Sequence, residues 1–310
     1  MNNIINILLG MLLILGACSS ENGVDYIPEQ QTTSNDSIDI YFQKNFQDKY
    51  GCAIRWRWVD KYVSIDYVVT PTYRKVLIPT GEMLKRYWIE PFILESADGG
   101  EFIRKNFPPE IVCIGSQLRN ADGTTTLGYA DAGVRITLTE LNLFDLSNIA
   151  WVKQQLHTIH HEFTHIIHQT YQMPNGFNEI TPQNYTGQAW NDIYAKAQKE
   201  LIQSGIEKPS QEQIGSKAEE MAISKGMLTP YATSSEFEDF AEIVSIYLLT
   251  DPYEFNTKFL QADPSKPELT TGKAYIQQKV DLAIGYYKTN FSINLVRLRD
   301  IIQERLSEIQ

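Results

Sequence analysis

The chain has little basic charge and, apart from its first 18 residues, no long apolar run. Its 310 residues carry 27 Lys and Arg against 38 Asp and Glu, a formal net charge of −11. An acidic chain without a basic stripe is poorly suited to phosphates, so we expect no nucleic-acid partner. With 43% hydrophobic residues and no visible internal repeat, the length fits one large domain or two small ones.

Cysteine is also scarce, with three residues in the chain. Cys52 and Cys113 could form a disulfide bond in an oxidising compartment, or lie as two buried thiols in separate strands. Both alternatives stay open from the sequence. The third cysteine, Cys18, belongs to the amino-terminal segment.

The only strongly apolar run near the amino terminus, residues 4–15, is too short to span a bilayer and is typical of a signal-peptide core. It ends in Leu15-Gly16-Ala17-Cys18, which resembles the lipobox of bacterial lipoproteins, although residues 1–6 lack Lys and Arg. The resemblance implies a signal peptide over residues 1–17 and a lipidated Cys18, whose acyl chains would hold the protein at a membrane. The polar residues 18–36 predict a flexible tether.

Histidine is rare as well, and all five residues lie between positions 157 and 168. The segment His161-Glu162-Phe163-Thr164-His165 has the form H-E-x-x-H. On a helix the two histidines are one turn apart and can bind one metal ion. Glu162 then lies where it can take a proton from a water at the metal.

Apolar spacing predicts a helix over residues 148–171, with a single apolar stripe formed by Ile149, Val152, Leu156, Ile159, Phe163 and Ile166. His161 and His165 project almost opposite that stripe, as a helix lining a metal-binding cleft requires. Asp145, Ser147 and Asn148 offer N-capping side chains, and Pro174 prevents much extension beyond Tyr171. The alternative, two surface histidines on an amphipathic helix, is less consistent with this geometry.

Catalytic zinc usually has three protein ligands, so one more is needed. Tyr171 stands where the metzincin spacing requires histidine. His157 and His168 face the right way, but His168 is about 10 Å along the helix axis from His161, too far to share one ion comfortably. We expect these two to line the cleft or to bond groups around the ligands, and the missing ligand to be an acid elsewhere.

The best candidates for that acid are Glu238 and Glu242, one turn apart on a predicted helix that Ser234 or Ser235 can cap and that runs to residue 249. The apolar face of this helix would be formed by Phe237, Phe240, Ala241, Val244 and Leu248. One can bind zinc while the other accepts a hydrogen bond from a ligating imidazole. A capping box from Ser235 would instead direct Glu238 to the backbone. Beside a zinc helix, we favour the ligand.

Glu238-Asp239-Phe240-Ala241-Glu242, following the H-E-x-x-H segment, resembles the arrangement of gluzincins, especially the lethal-factor-like peptidases. With its lipobox, the chain is similar to the zinc-binding metallopeptidase lipoproteins of Bacteroidetes, also called substrate import-associated zinc metallohydrolase lipoproteins. The resemblance implies a metallopeptidase whose single Zn²⁺ is held by His161, His165 and Glu238. Glu242 would then orient a ligating histidine.

The same resemblance bears on Tyr231, which lies seven residues before Glu238, the offset at which lethal-factor-like enzymes place a tyrosine that helps the reaction. The alternative is a tyrosine packed on the cleft wall with its hydroxyl in water. For the whole protein, the resemblance implies a peptide or protein substrate and an outer-membrane lipoprotein facing the periplasm or the cell surface. It also implies an association with an outer-membrane nutrient-import complex.

We expect an α+β, zincin-like fold. Residues 37–146 would form the amino-terminal α/β part of the catalytic domain, with a small twisted sheet packed on the H-E-x-x-H helix, and residues 147–310 a mostly helical part with the zinc site. Strands are predicted at residues 53–59, 111–115 and 134–141, a hairpin turn at 120–123, and helices at 37–49, 80–94, 189–204, 211–225 and 293–309. The first strand would be half-exposed, with Arg55 and Arg57 on the face opposite Ile54, Trp56 and Trp58. Pro91 would kink the 80–94 helix or end it early, and the charged last helix would pack on the outside.

Two other functions stay open. One is a non-catalytic surface binding lipoprotein with a structural metal site, although such a site has no need of the base Glu162. The other is a zinc hydrolase of a non-peptide amide, which nothing in the sequence excludes.

Overall fold

The computed structural model describes residues 34–63, 67–120, 125–126, 130–131 and 135–309. The predicted signal peptide, Cys18 and most of the predicted tether lie outside the described residues, as do positions 121–123 of the predicted hairpin turn. The described chain is a mixed α/β structure, mostly helical with a small sheet, and this confirms the expected fold class at that level.

Seven short strands lie in the described part: β1 Ala53–Arg55, β2 Tyr67–Val68, β3 Glu110–Cys113, β4 Leu118–Asn120, β5 Thr125–Thr126, β6 Ala130–Asp131 and β7 Arg135–Leu138. One sheet has the order β1-β3-β7-β6, with β1, β3 and β7 parallel and β6 antiparallel to β7. The strands β2, β4 and β5 form a second, antiparallel sheet. Strand β4 ends at Asn120, the first residue of the predicted turn, and pairs antiparallel with β5.

The helices are α1 Ser37–Phe42, α2 Asp48–Tyr50, α3 Arg74–Leu84, α4 Glu90–Glu95, α5 Ala97–Asn106, α6 Ile149–Tyr171, α7 Phe177–Ile180, α8 Asp192–Gln203, α9 Gln211–Ser224, α10 Glu236–Leu249, α11 Pro252–Phe255, α12 Thr270–Phe291 and α13 Leu295–Ser307. Three π-helical segments extend them: Gln43–Gln47, Lys85–Ile89 and Asn256–Leu260. None of the helices in the described ranges has the length and apolar character needed to cross a membrane.

Buried charges join the three parallel strands. Glu110 on β3 is fully buried and accepts hydrogen bonds from Arg55 on β1 at 2.6 Å and from Arg135 on β7 at 3.0 and 3.2 Å. The prediction that Arg55 lies on an exposed face of a longer strand was therefore wrong. Arg55 is buried because Glu110 compensates its charge, and β1 ends at that residue.

The predicted helix at 80–94 begins earlier and continues past Pro91 with a change of pitch. Helix α3 starts at Arg74, the π-helical segment Lys85–Ile89 follows, and α4 continues from Glu90. Pro91 lies in the first turn of α4, where a missing backbone N–H removes no required hydrogen bond. Of the two effects expected of Pro91, a kink or an early end, the early end does not occur.

One hydrophobic core includes residues from both the sheet and the helical part. Helix α6 packs against β7 and α10, and α10 also packs against α12 and α13. Helix α13 packs one face on this core, where Leu298 and Ile302 are completely buried. Helix α12 was missed altogether in the sequence.

Cys52 and Cys113 are both free and buried. Of the two alternatives considered for them, the structure has the buried thiols. Burial raises the pKa of Cys113 to about 12 and also raises that of Cys52. Both thiols are therefore weakly acidic and poorly reactive.

Candidate metal centre

Helix α6 spans almost the range predicted from the apolar spacing. The Asn148 side chain caps it by accepting a hydrogen bond from the Trp151 backbone N–H at 3.2 Å. The helix ends at Tyr171, and Gln172 takes a positive φ of 68° before Pro174. All but the first member of the predicted stripe are buried: Val152, Leu156, Ile159, Phe163 and Ile166. Burying this stripe turns the histidine-bearing face of α6 toward α10.

Three potential metal-binding atoms meet between α6 and α10. His161 Nε2 lies 2.9 Å from Glu238 Oε2 and 3.1 Å from His165 Nε2, and His165 Nε2 lies 3.2 Å from Glu238 Oε2. Ligand atoms of a tetrahedral zinc site, with bonds of about 2.0–2.2 Å, are about 3.3–3.5 Å apart. The three atoms form a triangle only slightly smaller than that, so the residues fit a zinc ion.

Glu238 reaches this triangle from the first turn of α10. Ser235 is the N-cap, and its hydroxyl accepts a hydrogen bond from the Glu238 backbone N–H at 3.3 Å. Of the two alternatives considered for Glu238, the structure has the carboxylate at the histidines, and only the backbone N–H of Glu238 takes part in the cap. Phe237 was expected on the buried face of α10, but it is 45% exposed and stacks on His168 at 5.1 Å between ring centroids.

The electric field of this cluster favours a cation. Burial disfavours a charged His161, yet the neighbouring Glu238 and Glu242 carboxylates outweigh burial and raise the pKa of His161 to about 10. The two histidines in turn lower the pKa of Glu238 despite its partial burial. A proton held this strongly marks a site that a metal cation can occupy in its place.

Glu242, one turn further along α10, is buried and holds three neighbours. Its Oε1 lies 2.9 Å from His161 Nδ1 and 3.0 Å from His157 Nε2, and its Oε2 accepts a hydrogen bond from the Thr229 hydroxyl at 2.8 Å. A carboxylate bound to the far nitrogen of a ligating histidine fixes the tautomer and the orientation of the ring. Glu242 therefore lies at the position expected of an orienting acid.

A second group, His157, His161 and Glu242, also places three ligand atoms close together in the described chain. The two groups share His161, the first through Nε2 and the second through Nδ1. A neutral imidazole offers one free lone pair, so a metal at one nitrogen leaves the other protonated and available to donate. The Glu238 group uses Nε2 for the metal and leaves Nδ1–H to donate to Glu242, whereas the second group would use Nδ1 and leave Nε2–H to donate to Glu238. Of the two groups, the Glu238 group contains both histidines of the H-E-x-x-H segment.

His168 contacts a candidate ligand directly. His168 Nε2 lies 2.8 Å from His165 Nδ1, and both rings are largely buried. Burial is the main cause that lowers the pKa of His168 to about 4, so this ring is neutral at physiological pH. His157 and His168 are thus placed around the candidate ligands, as expected, and the histidine-to-histidine contact had not been anticipated.

Glu162 and Tyr231 lie beside the triangle. Glu162 is buried, and burial outweighs the adjacent His161 and His165 in raising its pKa. Tyr231 is 39% exposed, and its ring centroid is 6.1 Å from that of His161. Burial and the nearby Glu238 carboxylate raise the pKa of Tyr231, so its hydroxyl stays protonated as a hydrogen-bond donor.

The loop that carries Tyr231 is tied to the centre through Glu242. Thr229, which donates to Glu242, accepts a hydrogen bond from the Ala232 backbone N–H at 3.1 Å. Trp190 packs edge-on against the Tyr231 ring at 5.1 Å. The Tyr231 ring therefore packs on Trp190, while the backbone of the next residue is fixed by Thr229.

A buried ion pair behind α10 was missed in the sequence analysis. Lys279 on α12 donates to Asp239 Oδ2 at 2.6 Å, and neither side chain is exposed to solvent. Tyr185 donates to the same oxygen at 2.8 Å, and Lys279 also donates to the Gly226 carbonyl at 2.8 Å. Because Asp239 follows Glu238 directly, this pair anchors the turn that presents Glu238.

Comparison with known proteins identifies a protein family whose model matches this chain. Residues 30–296 match the family model described as "Putative zinc-binding metallo-peptidase". A crystal structure of a protein from Bacteroides caccae, named as a putative zinc-binding metallo-peptidase, superimposes with a TM-score of 0.64 at 26% sequence identity. The similarity covers 88% of this chain and 92% of the other. No protein among the curated sequences matches the chain.

Proposed function

Since the chain belongs to the family of putative zinc-binding metallopeptidases, we propose that it hydrolyses peptide bonds with one zinc ion bound by His161, His165 and Glu238. The observation that carries the proposal is the triangle of Nε2, Nε2 and Oε2 atoms, supplied by two helices that are far apart in sequence. A glutamate ligand on a second helix, together with H-E-x-x-H on the first, is the gluzincin arrangement, and we propose a zincin-like catalytic domain on that basis.

Zinc bound at this triangle would supply a Lewis acid for the scissile carbonyl and lower the pKa of a coordinated water. The protein's own groups supply the proton transfers. The Glu162 carboxylate would accept the proton of the attacking water and pass it to the leaving amine. Its buried position raises its pKa toward the range useful for a base near neutral pH.

Tyr231 would assist at the substrate oxygen. Its hydroxyl remains protonated beside Glu238, so it can donate a hydrogen bond to the oxygen on which negative charge develops. Such a bond is stronger in the transition state than in the substrate complex, and it therefore raises kcat.

The test compares the wild-type protein with Glu162→Gln in zinc content and in hydrolysis of a mixed peptide library. We expect both proteins to bind about one zinc per chain, as three protein ligands imply, and only the wild type to cleave peptides. Zinc binding without cleavage by the wild type would contradict the peptidase and favour a binding lipoprotein or a hydrolase of another amide. Equal cleavage by Glu162→Gln would contradict the role of the base.

We further propose that the protein is an outer-membrane lipoprotein anchored through Cys18 and associated with a nutrient-import complex. The apolar run at residues 4–15, the lipobox-like sequence and the polar segment behind it support the anchoring. The import role is supported by the sequence resemblance alone. Co-purification of an import porin with the anchored chain, lost from the unlipidated chain, would be the supporting result; identical partners for both would contradict it.

A further inference from the structure

His165, one of the proposed zinc ligands, has its other ring nitrogen bonded to a histidine. His165 Nδ1 lies 2.8 Å from His168 Nε2, and the two ring centroids are 5.1 Å apart. The corresponding nitrogen of His161 faces the Glu242 carboxylate at 2.9 Å. The two histidines of one candidate centre are therefore held by different kinds of group, one an anion and the other an imidazole.

The proton positions in the histidine pair follow from the site. His165 Nε2 points into the triangle with His161 Nε2 and Glu238 Oε2, so a metal there requires a free lone pair on that nitrogen. The proton of the neutral His165 ring is then on Nδ1 and is donated to His168. His168 must accept through Nε2 and carry its own proton on Nδ1.

Packing holds His168 in the orientation that this bond requires. Its ring is buried and lies parallel to Phe237, at 18° between ring planes and 5.1 Å between centroids. Phe240 contacts it edge-on at 6.5 Å from the next turn of α10. Since Phe237 directly precedes Glu238, the same turn of α10 supplies the third candidate ligand and the surface that orients His168.

We propose that His168 is a positioning residue for the metal centre, which fixes the ring orientation and tautomer of His165 by accepting its Nδ1–H. This inference rests on the proposed zinc site. A bound carboxylate would make His165 a more basic ligand, whereas the imidazole of His168 orients the ring without adding a full negative charge to a site that already has Glu238, Glu242 and Glu162.

Three variants separate the hydrogen bond from the packing. His168→Phe keeps a ring that can stack on Phe237 but has no acceptor. His168→Gln removes the ring but keeps an acceptor oxygen at a similar reach from the helix. Phe237→Leu removes the stacking and leaves His168 in place.

The measurement is the dissociation constant for Zn²⁺ in a competitive chelator titration of the full chain, with thermal unfolding of each metal-free protein as a control for folding. We expect His168→Phe to weaken zinc binding by about 10–100-fold, the usual effect of losing such a partner. His168→Gln should recover most of the wild-type affinity, and Phe237→Leu should change it less than His168→Phe.

Two results would overturn the inference while the proposed function stands. One is wild-type zinc affinity in His168→Phe. The other is a loss of zinc affinity in His168→Gln and in Phe237→Leu as large as that in His168→Phe, because no effect would then be specific to the acceptor. If the wild-type chain itself binds no zinc, the proposed function fails and the inference fails with it. If the affinities follow the expected order but no peptide is cleaved, the positioning role holds and the peptidase activity does not.

Discussion

His161 Nδ1 lies 2.9 Å from Glu242 Oε1, so the same ring that points Nε2 at Glu238 is fixed from behind by the next acid on α10. Glu238 and Glu242 are one turn apart; Glu238 is partly buried and Glu242 is buried. Their different contacts predict different consequences of removing each carboxylate.

Glu238→Ala is expected to abolish tight zinc binding, because it removes one of three proposed ligands. Glu242→Ala is expected to weaken binding by about 10–100-fold, because the ligands remain but His161 loses its orienting partner. The check is a chelator titration of both variants. Glu236→Ala, in the first turn of the same helix but outside both His/Glu groups, is the matched control and should bind as the wild type does. The reverse order would show that the ligand and its partner are assigned the wrong way round.

Tyr231→Phe is expected to lower kcat by about 10²–10³-fold, as for the loss of one oxyanion donor. Zinc content and KM should stay close to wild type, since one oxygen is removed and the ring still packs against Trp190. Steady-state kinetics on a cleaved peptide provide the measurement. Tyr194→Phe, a similarly exposed tyrosine that packs on Trp190 at 6.4 Å, is the control. If Tyr231→Phe keeps most of the wild-type kcat, Tyr231 only packs on the wall of the cleft and takes no part in the reaction.

Lys279→Met is expected to lower the free energy of unfolding by about 3–5 kcal/mol, because it leaves the buried Asp239 carboxylate without its cation. The double variant Asp239→Leu with Lys279→Met should be more stable than Lys279→Met alone, since no unpaired charge remains. Denaturant unfolding of the metal-free proteins measures both.

The matched control for that pair is Lys258→Met. The Lys258 side chain is 41% exposed and pairs with Glu219 at 2.7 Å, so its loss should cost about 0–1 kcal/mol. Equal effects of Lys258→Met and Lys279→Met would mean that the buried pair has no special part in holding α10 to α12.

Local sequence signals account for the parts of the structure that were predicted. The 148–171 helix follows from apolar spacing and an Asn148 cap, and the α10 helix follows from Ser235 and its own apolar stripe. Both are properties of neighbouring residues. The approach of Glu238 to His161 was inferred from motif resemblance and chemistry, and the structure brings these side chains together.

Long-range pairs explain what was missed. A buried Lys279 makes α12 look less amphipathic than it is, and its partner Asp239 lies 40 residues earlier in the chain. Arg55 looked like the exposed side of a strand because its partner Glu110 is 55 residues away. The contact of His168 with His165 is local, since the two residues are three apart on one helix. It was not predicted, because His168 was considered only as a possible zinc ligand at its distance from His161.

Cys18→Ala is expected to move the protein from the membrane fraction to the soluble fraction, because lipidation at Cys18 is the proposed anchor. Fractionation and metabolic labelling with a fatty acid check this, and Cys52→Ala, a buried cysteine, is the control for a general effect of losing a thiol. Unchanged fractionation would mean that residues 15–18 are not a lipidation signal.

The most direct test of the zinc centre is an anomalous difference map recorded at the zinc absorption edge from crystals of the zinc-reconstituted full chain. We expect one strong peak within bonding distance, about 2.0–2.2 Å, of His161 Nε2, His165 Nε2 and a Glu238 oxygen. A peak instead on the Nδ1 side of His161, beside His157 and Glu242, or no peak at all, would contradict this expectation.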